Sequence, residues 1–335
     1  MFAAALALPL ALAACSSGND GGGSGDDPSD GGDSSWTPSR DIQWVVPYSA
    51  GGGFDVYSRG VAKVMQDTQL PDGVNVVIRN TPPLPQGITT MYTAKPDGYT
   101  VGILPMPAAI AQQIQDPDLA KWETDKFTVL GSVDENAYVL YVPSDSPFQT
   151  VDDLIAAKGL KTVTVEEGSS SALAGLATIE ALGLDSTVTY GAEGSADVVT
   201  AALRGDADYI VYGSTDLVGF VESGDIRPLL FLGTEDQRPE QFDWLKDVPS
   251  AEQEGYDELA GAVTELRLIV APPDLPDDIA TYLRDAVYNT ISSDEFKDWA
   301  TTAERPIVPR NWEDATTAMN SQIEQMNELV PTLSD

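Results

Sequence analysis

The sequence contains no histidine and a single cysteine, Cys15. Without histidine there can be no Ser-His-Asp triad, no Cys-His dyad, no imidazole base and no His-ligated zinc. One cysteine cannot form a disulfide within the chain. The catalytic groups that remain are carboxylates, lysine, tyrosine and Ser-Lys pairs, so the composition favours a binding protein. A carboxylate-based hydrolase gains no support, because 53 acidic residues bring some pair of acids together by chance.

Basic residues are the second shortage. The chain has 18 Lys and Arg against 53 Asp and Glu, which gives a formal net charge of −35. Leaving out the five aspartates of residues 16–35 changes the net charge only from −35 to −30, so the body of the protein is itself acidic. Nucleic acid is therefore ruled out as the expected partner, because phosphate backbones bind basic faces.

The N-terminus carries an apolar run from Phe2 to Leu12, followed by Ala13, Ala14 and Cys15. This run is too short to span a bilayer of about 30 Å as a permanent helix, so residues 1–14 are predicted to be a lipoprotein signal peptide. Cleavage before Cys15 would leave its thiol to carry the lipid, which predicts a protein anchored at the extracytoplasmic face of the cell membrane. The Lys or Arg n-region of such signals is missing, and the alternative is an apolar N-terminus with an unrelated cysteine.

Residues 15–39 are predicted to form a lipid-anchored linker. From Ser16 to Ser35 nearly every residue is Gly, Ser or Asp, and the first aromatic side chain after Cys15 is Trp36. Such a stretch cannot bury enough apolar surface to offset its ordering entropy. A calcium loop is the alternative, but no Glu closes it and the glycines are not placed as in an EF-hand.

Short β-rich runs alternate with helical stretches over residues 40–335, a length that suits two domains. This alternation predicts an α/β fold with a parallel sheet. Strands are predicted at 42–47, 74–79, 99–104, 127–133, 137–142, 162–165, 187–190, 209–212, 228–232 and 264–271. Helices are predicted at 54–67, 151–157, 172–182 and 196–203, with three more that begin at 276, 294 and 312.

Three strand-to-helix junctions carry the candidate binding residues. Ligand sites in such sheets lie beyond the carboxyl ends of strands, where the N–H groups and positive dipole of a helix start hold an anion. The candidates are Tyr48, Ser49, Ala50, Gly51, Gly52, Gly53 and Asp55 at the first junction, Gly168, Ser169, Ser170 and Ser171 at the second, and Tyr190, Gly194 and Ser195 at the third. A plain glycine turn or an ordinary serine cap explains each junction separately. Three such junctions in one chain predict a shared site for a carboxylate or phosphate.

The first junction belongs to a longer pattern. Val45 begins the run VVPYSAGGGFDVYSRGVAKVM, Asn75 begins NVVIRN, and Lys95 begins KPDGYTVGIL. In order and spacing these blocks resemble the substrate-binding proteins of tripartite tricarboxylate transporters, the Bug receptors. Later segments at 126–133, 247–256 and 270–279 also resemble that family, so the similarity extends over nearly the whole body.

The resemblance implies a two-lobed clamshell of the type II periplasmic-binding-protein class, with a ligand cleft between the lobes that closes by hinge bending. Lobe 1 would comprise residues 40–140 plus 262–335, and lobe 2 residues 141–261. It also implies a monomeric extracytoplasmic lipoprotein that captures a small organic carboxylate and delivers it to the small and large integral membrane permease subunits of the transporter. No catalytic step, cofactor or metal ion is implied. A sensor subunit that signals to a membrane receptor would use the same fold and pocket, and it stays open as an alternative.

The sequence departs from the family pattern at positions that would set specificity. The segment from Thr81 to Gly87 is richer in proline than the usual glycine loop. The lysine that commonly follows the tyrosine of the third junction is absent after Tyr190. Glu166 and Glu167 stand where small polar residues are commoner. A pocket with extra acids and no added base predicts either a monocarboxylate or a solute that bears an amine.

Overall fold

Ten β-strands and ten α-helices lie in the part of the chain that this computed structural model describes, residues 36–239, 241–256, 259 and 263–333. The strands are β1 (Ile42–Val46), β2 (Val76–Asn80), β3 (Thr100–Met106), β4 (Thr128–Asn136), β5 (Tyr138–Pro143), β6 (Leu160–Val163), β7 (Ser186–Thr189), β8 (Ile210–Gly213), β9 (Ile226–Phe231) and β10 (Glu265–Ala271). The helices are α1 (Gly53–Thr68), α2 (Leu84–Tyr92), α3 (Ala108–Gln115), α4 (Val151–Ala156), α5 (Ser170–Leu182), α6 (Ser195–Leu203), α7 (Val218–Glu222), α8 (Asp277–Ile291), α9 (Asp294–Thr302) and α10 (Trp312–Leu329). The predictions for the signal peptide, for Cys15 and for the linker up to residue 35 lie outside the described residues.

The larger sheet has the strand order β2-β1-β3-β10-β4. Strand β1 pairs in parallel with β2 and β3, whereas β10 is antiparallel to both β3 and β4. The prediction of a parallel sheet is therefore wrong for β10. The reason is the chain path: β4 leaves the sheet at Asn136, and the returning β10 enters beside it at Glu265, so β10 must run in the opposite direction.

A second sheet, β8-β5-β9, is antiparallel throughout, which also corrects the prediction of parallel strands. Strands β6 and β7 form a separate parallel pair, and a bridge between Thr162 and Tyr209 connects this pair to the start of β8. The chain changes sheet between Asn136 and Tyr138, which are separated by the single residue Ala137. This change occurs near the predicted lobe boundary, and the boundaries themselves stay a prediction.

Both sheets are covered by helices on both faces. On one face of the larger sheet Trp44 packs with Tyr57 of α1 and Phe296 of α9, and on the other Leu268 packs with Ile88 of α2. In the second sheet, alternate residues of β5 enter separate clusters that contain residues of α5 and α6 respectively. Strands buried on both faces read as continuous apolar runs, which explains why the sequence predicts most of them correctly.

Helices α2, α3 and α7 are absent from the sequence-based prediction. Pro85 and Gly87 lie within α2, and in the sequence both residues argue against a helix. Proline is nevertheless tolerated in the first turn, because an N–H group at that position has no intrahelical partner in any case. Helix α3 follows Pro107 directly, and α7 has only five residues. Within the described ranges, no helix is both long enough and apolar enough to cross a bilayer.

Candidate functional site

A cavity of about 280 Å³ lies where the starts of α1, α5 and α6 meet the end of β8 and the start of β10. Its volume is small for a ligand pocket and corresponds to roughly nine water molecules at liquid density. The lining residues are Tyr48, Ser49, Gly52, Gly53, Phe54, Pro82, Tyr138, Val165, Glu166, Ser169, Ser170, Ser171, Gly191, Ala192, Glu193, Gly194, Tyr212, Gly213, Asp216, Glu265 and Arg267.

Helix α1 presents unpaired backbone N–H groups to this cavity. Gly52 is its N-cap, and Val56 donates the first helical hydrogen bond to the Gly52 carbonyl. The N–H groups of Gly53 and Phe54 thus precede the first intrahelical bond, as the first N–H groups of any helix do. A side chain at Gly53 would require the floor to shift, because a Cβ there would lie 2.6 Å from Asp216 Oδ1 and 3.0 Å from Arg267 Nη2.

The loop before α1 is held in place by Asp55. One carboxylate oxygen of Asp55 accepts hydrogen bonds from Gly51 N (2.8 Å) and Arg59 Nε (2.9 Å), and the other accepts from Arg59 Nη2 (2.9 Å) and Asn80 Nδ2 (3.0 Å). Asn80 Nδ2 also donates to the Tyr48 carbonyl at 3.0 Å. These bonds join the loop, α1 and the end of β2, so Asp55 and Arg59 position the loop before α1 without lining the cavity.

Helix α5 contributes the second start. The Ser169 hydroxyl accepts a hydrogen bond from Ala172 N at 3.2 Å, which satisfies the third helical N–H. The Ser171 hydroxyl is within hydrogen-bond distance of Thr164 and Ser169. Ser170 differs: its side chain is 1 % exposed and lines the cavity, and its hydroxyl has no partner among the described residues. A buried hydroxyl without a partner favours a polar ligand at this position.

Helix α6 contributes the third start. Gly194 is the N-cap, and its carbonyl accepts the first intrahelical bond from Val198 N. The N–H of Glu193 donates to the Asp197 carboxylate at 3.2 Å, so that donor is already used. The three junctions picked out from the sequence therefore converge on a single cavity.

The structure divides the candidate residues into two groups. Eight of them line the cavity: Tyr48, Ser49, Gly52, Gly53, Ser169, Ser170, Ser171 and Gly194. Six do not: Ala50, Gly51, Asp55, Gly168, Tyr190 and Ser195. Gly168 and Tyr190 instead line a neighbouring groove of about 810 Å³. That the lining group contacts a ligand stays a prediction.

Sequence reasoning missed the floor of the cavity, which is built around Arg267 of β10. Its Nη1 donates to Asp134, and its Nη2 lies 3.0 Å from Asp216 and 2.6 Å from Glu265. Asp216 also pairs with Arg305 at 3.2 Å. Charged residues two apart in the otherwise apolar run ELRLIVA lie on one face of a strand, and that pattern was the available signal.

Burial shapes the protonation of this cluster. Desolvation raises the pKa of Asp134 to about 7, against the opposing effect of Arg267. Desolvation likewise raises the pKa of Glu265, again opposed by Arg267 and reinforced by Asp216. At the floor, three carboxylates thus share two guanidinium groups, those of Arg267 and Arg305. Among the described residues, no cluster of Asp, Glu or Cys is placed to hold a metal ion.

Glu166 connects the two sides of the cavity. Its carboxylate accepts a hydrogen bond from the Leu84 N–H, and desolvation raises the pKa of Glu166. Leu84 is the first residue of α2, whose N-cap is Pro83 and has no side-chain cap. Glu166, which follows β6, thereby provides the hydrogen-bond acceptor that the first N–H group of α2 lacks within its own helix.

The fold has the two-lobed α/β architecture of periplasmic binding proteins. The fold is similar to the periplasmic binding protein BugD, with a TM-score of 0.74 and 21 % identity over 88 % of this chain and 98 % of that one. It is also similar to MatC from Rhodopseudomonas palustris, solved with malate (TM-score 0.73, 21 % identity, 88 % and 99 % covered). A further R. palustris protein, solved with adipate, gives a TM-score of 0.74 at 19 % identity (88 % and 98 % covered).

The chain belongs to the tripartite tricarboxylate transporter family of receptors, whose model matches residues 59–333. A UPF0065 protein in the TAR-I ttuE-ttuC' intergenic region of Agrobacterium vitis is 27 % identical over 258 residues, which cover 75 % of this chain and 71 % of that one. A UPF0065 protein in the gbd 5' region of Cupriavidus necator is 26 % identical over 271 residues (78 % and 77 % covered). The resemblance seen in the sequence motifs and the two-lobed α/β fold are both confirmed. Members of this family and the structural neighbours are solute-binding proteins.

Proposed function

We propose that this protein is an extracytoplasmic solute-binding lipoprotein that captures a small carboxylate and delivers it to the membrane permease subunits of a tripartite tricarboxylate-type transporter. The observation that carries the proposal is the convergence of three helix starts on one small cavity. Binding and release are the whole of its activity, and no catalytic step is part of the proposal.

Helix starts suit a carboxylate for two physical reasons. Their first N–H groups have no intrahelical acceptor, and the helix dipole places partial positive charge there. Both act at contact distance, whereas the long-range repulsion of an acidic protein is screened within about 8 Å in physiological salt. A chain of net charge −35 can therefore hold an anion without a basic side chain in contact with it.

Relatives support the carboxylate assignment. Two similar structures were solved with malate and with adipate, both small dicarboxylates. The family name links such receptors to tripartite transporters, and the apolar N-terminus that ends at Cys15 supports the lipid anchor and the extracytoplasmic location. These features support two successive steps, capture of the solute outside the cytoplasmic membrane and its delivery to the permease.

Thermal unfolding with a panel of small carboxylates tests the proposal. A ligand that binds only the native state at about 100 times its Kd adds about 2.7 kcal/mol to the free energy of unfolding, which raises the melting temperature by a few degrees. Failure of every mono-, di- and tricarboxylate in the panel to raise the melting temperature would contradict the proposal.

Gly52→Val locates the site. Gly52 has φ −76° and lines the cavity, and a Cβ there meets no atom within 4 Å, so the fold can accept a side chain that narrows the cavity. Blocking one charge-assisted hydrogen bond should weaken affinity about tenfold to a hundredfold, with an N-cap cost of only about 1 kcal/mol in stability. Gly219→Val on α7 is the matched control, because a Cβ there also meets open space away from the cavity. Equal affinities for the two variants would contradict the assignment.

A further inference from the structure

A carboxylate of the protein itself lies beside the proposed anion site. The Asp216 side chain is 8 % exposed and lines the cavity, and its Oδ1 is the atom that a Cβ on Gly53 would meet at 2.6 Å. Gly53 is the first residue of α1, where the N–H groups have no intrahelical acceptor. Helix starts attract side-chain carboxylates as well as bound anions, so Asp216 is an internal competitor for the position that the solute carboxylate would take.

Two arginines hold the Asp216 carboxylate, each through a different oxygen. Oδ2 lies 3.0 Å from Arg267 Nη2 and accepts a hydrogen bond from Asn136 Nδ2 at 3.3 Å. Oδ1 accepts a hydrogen bond from Arg305 Nη1 at 3.2 Å. Arg305 therefore restrains the oxygen that lies beside the start of α1.

Arg305 reaches Asp216 from outside the cavity. It is not among the residues that line the cavity but lies on the wall of a separate groove between α7 and α9, and its side chain is 21 % exposed. Its backbone is fixed at the end of α9 by a hydrogen bond from Arg305 N to the Ala300 carbonyl at 2.8 Å. Its Nη1 also donates to the Thr215 carbonyl at 3.2 Å, next to Asp216. Any effect of Arg305 on a solute in the cavity thus passes through Asp216 and its neighbour.

Arg305 also balances the charge of the floor. Three carboxylates, from Asp134, Asp216 and Glu265, and two guanidinium groups give the floor a formal charge of −1. Loss of Arg305 would change this charge to −2, because Arg267 alone would serve all three acids. Truncation of one partner of a buried ion pair leaves the other charge uncompensated. The added negative charge would lie beside the start of α1 and would repel an incoming carboxylate.

We propose that Arg305 is a positioning residue for solute binding. It holds and neutralises the Asp216 carboxylate, so that the first N–H groups of α1 stay free for the carboxylate of the solute. This inference rests on the proposed carboxylate receptor and assigns a role in it to a side chain that does not touch the solute. An ion pair that only stabilised the fold would change the free energy of unfolding, and the charge left on Asp216 would not govern affinity.

Calorimetric titration of the full chain with acetate, butyrate, succinate and glutarate tests the inference. Arg305→Gln should weaken the binding of the tightest of the four by about tenfold to a hundredfold. Addition of Asp216→Asn to Arg305→Gln returns the formal charge of the floor to −1. The double variant should therefore regain affinity to within about threefold of the unmodified protein. An equal or larger loss in the double variant would overturn the inference and leave the carboxylate receptor standing.

Arg310→Gln is the matched control. Arg310 pairs with Glu135, the two side chains are 29 % and 16 % exposed, and neither residue lines the cavity. This substitution removes the same charge from a comparable ion pair and should leave carboxylate affinity unchanged. Arg305→Lys keeps the positive charge beside Asp216 and should retain most of the affinity that Arg305→Gln loses. Loss of affinity in Arg310→Gln as large as that in Arg305→Gln would overturn the assignment.

Asp216→Asn alone decides the matter if Arg305→Gln does not fold. It removes the internal competitor and brings the formal charge of the floor to zero, so the tightest carboxylate should bind more tightly than to the unmodified protein. Unchanged or weaker binding in a natively folded Asp216→Asn protein would overturn the inference. If none of the four carboxylates binds to the unmodified protein, the result counts against both the receptor and the role of Arg305.

Discussion

Replacement of Asp55 by asparagine should destabilise the protein far more than the same replacement at Asp67, although both acids form an i,i+4 pair on α1. Asp55 is 3 % exposed and accepts four hydrogen bonds, from Gly51, Asn80 and two nitrogens of Arg59. In the described part of the chain Asp67 pairs only with Lys63, and the two side chains are 48 % and 72 % exposed. The two substitutions remove the same charge from the same helix in opposite environments.

The expected decrease in the free energy of unfolding follows from the hydrogen bonds that Asp55→Asn removes. A hydrogen bond to a charged group contributes about 1.5–3 kcal/mol, and the Arg59 pair is taken at the low end because its side chain is 53 % exposed. Asparagine keeps one acceptor oxygen but turns an N–H₂ group toward existing donors. A loss of about 3 kcal/mol is expected for Asp55→Asn, against at most about 0.5 kcal/mol for Asp67→Asn. For a unit of about 300 residues, with an unfolding entropy of about 0.6 kcal/mol per degree, 3 kcal/mol lowers the melting temperature by about 5 °C.

The pH dependence gives an independent check. Desolvation tends to raise the pKa of Asp55, but the hydrogen bonds from Arg59, Gly51 and Asn80 outweigh it and lower the pKa. An acid with a folded-state pKa below its unfolded value of about 3.9 stabilises the fold fully above that value. This stabilisation is lost as the pH falls through the folded-state pKa. The difference between the unmodified protein and Asp55→Asn should therefore be constant near neutrality and shrink below about pH 4.

Urea unfolding followed by circular dichroism measures both effects, with the three proteins compared at neutral pH and at two acidic values. The Asp55→Asn difference should appear in the midpoint with an unchanged m-value, since the surface exposed on unfolding stays the same. If Asp55→Asn and Asp67→Asn lose the same small amount, the Asp55 network does not hold the binding loop and the reasoning fails.

Three further outcomes are expected. Gly53→Ala should lose about 1–3 kcal/mol of stability, measured by urea unfolding, because its Cβ would lie 2.6 Å from Asp216 Oδ1; a neutral effect would show that the floor shifts freely. Because burial raises the pKa of Asp134 to about 7, the folded state holds a proton that the unfolded state lacks between about pH 4 and 7. The free energy of unfolding should therefore fall by about 1.4 kcal/mol for each unit that the pH rises over that range. Asp134→Asn should remove that slope, and an unchanged slope would refute the assignment. Cys15→Ser should abolish labelling by radioactive fatty acid and release the protein from the membrane, whereas retained labelling would refute the lipid anchor.

The three junctions that line the cavity were predictable because their chemistry is local. The sequence Gly-Gly-Gly or Gly-Ser-Ser-Ser between a strand and a helix indicates a helix start with unpaired N–H groups. This indication does not depend on the tertiary structure around it. Convergence on one cavity was also predictable, since ligand sites in α/β folds gather beyond strand ends. The direction of a side chain in the first turn is harder to predict. Asp55 bonds back to Gly51 instead of facing the cavity, a choice set by Arg59 and Asn80 together.

The floor could not be assembled from the sequence because its members come from distant parts of the chain. Asp134 lies on β4, Asp216 follows β8, and Glu265 and Arg267 lie on β10. Only the antiparallel pairing of β10 with β4 brings the first and last of these together, and the sequence pattern predicted a parallel sheet. The error in strand direction and the missed charged cluster therefore have one origin, the return of the chain from the second sheet.

The two sides of the cavity divide its chemistry between backbone and side chains. Positive potential comes from the helix starts at Gly52, Ser169 and Gly194, which need small residues but no basic ones. Such a site survives in a chain with 18 basic residues against 53 acidic ones. In the proposed role the carboxylate needs no basic side chain, so the arginines at the floor can stay paired with the acids of β10 and of the segment after β8. A substitution at Gly52 should therefore weaken the binding of any carboxylate without changing the charge of the side chains that line the cavity.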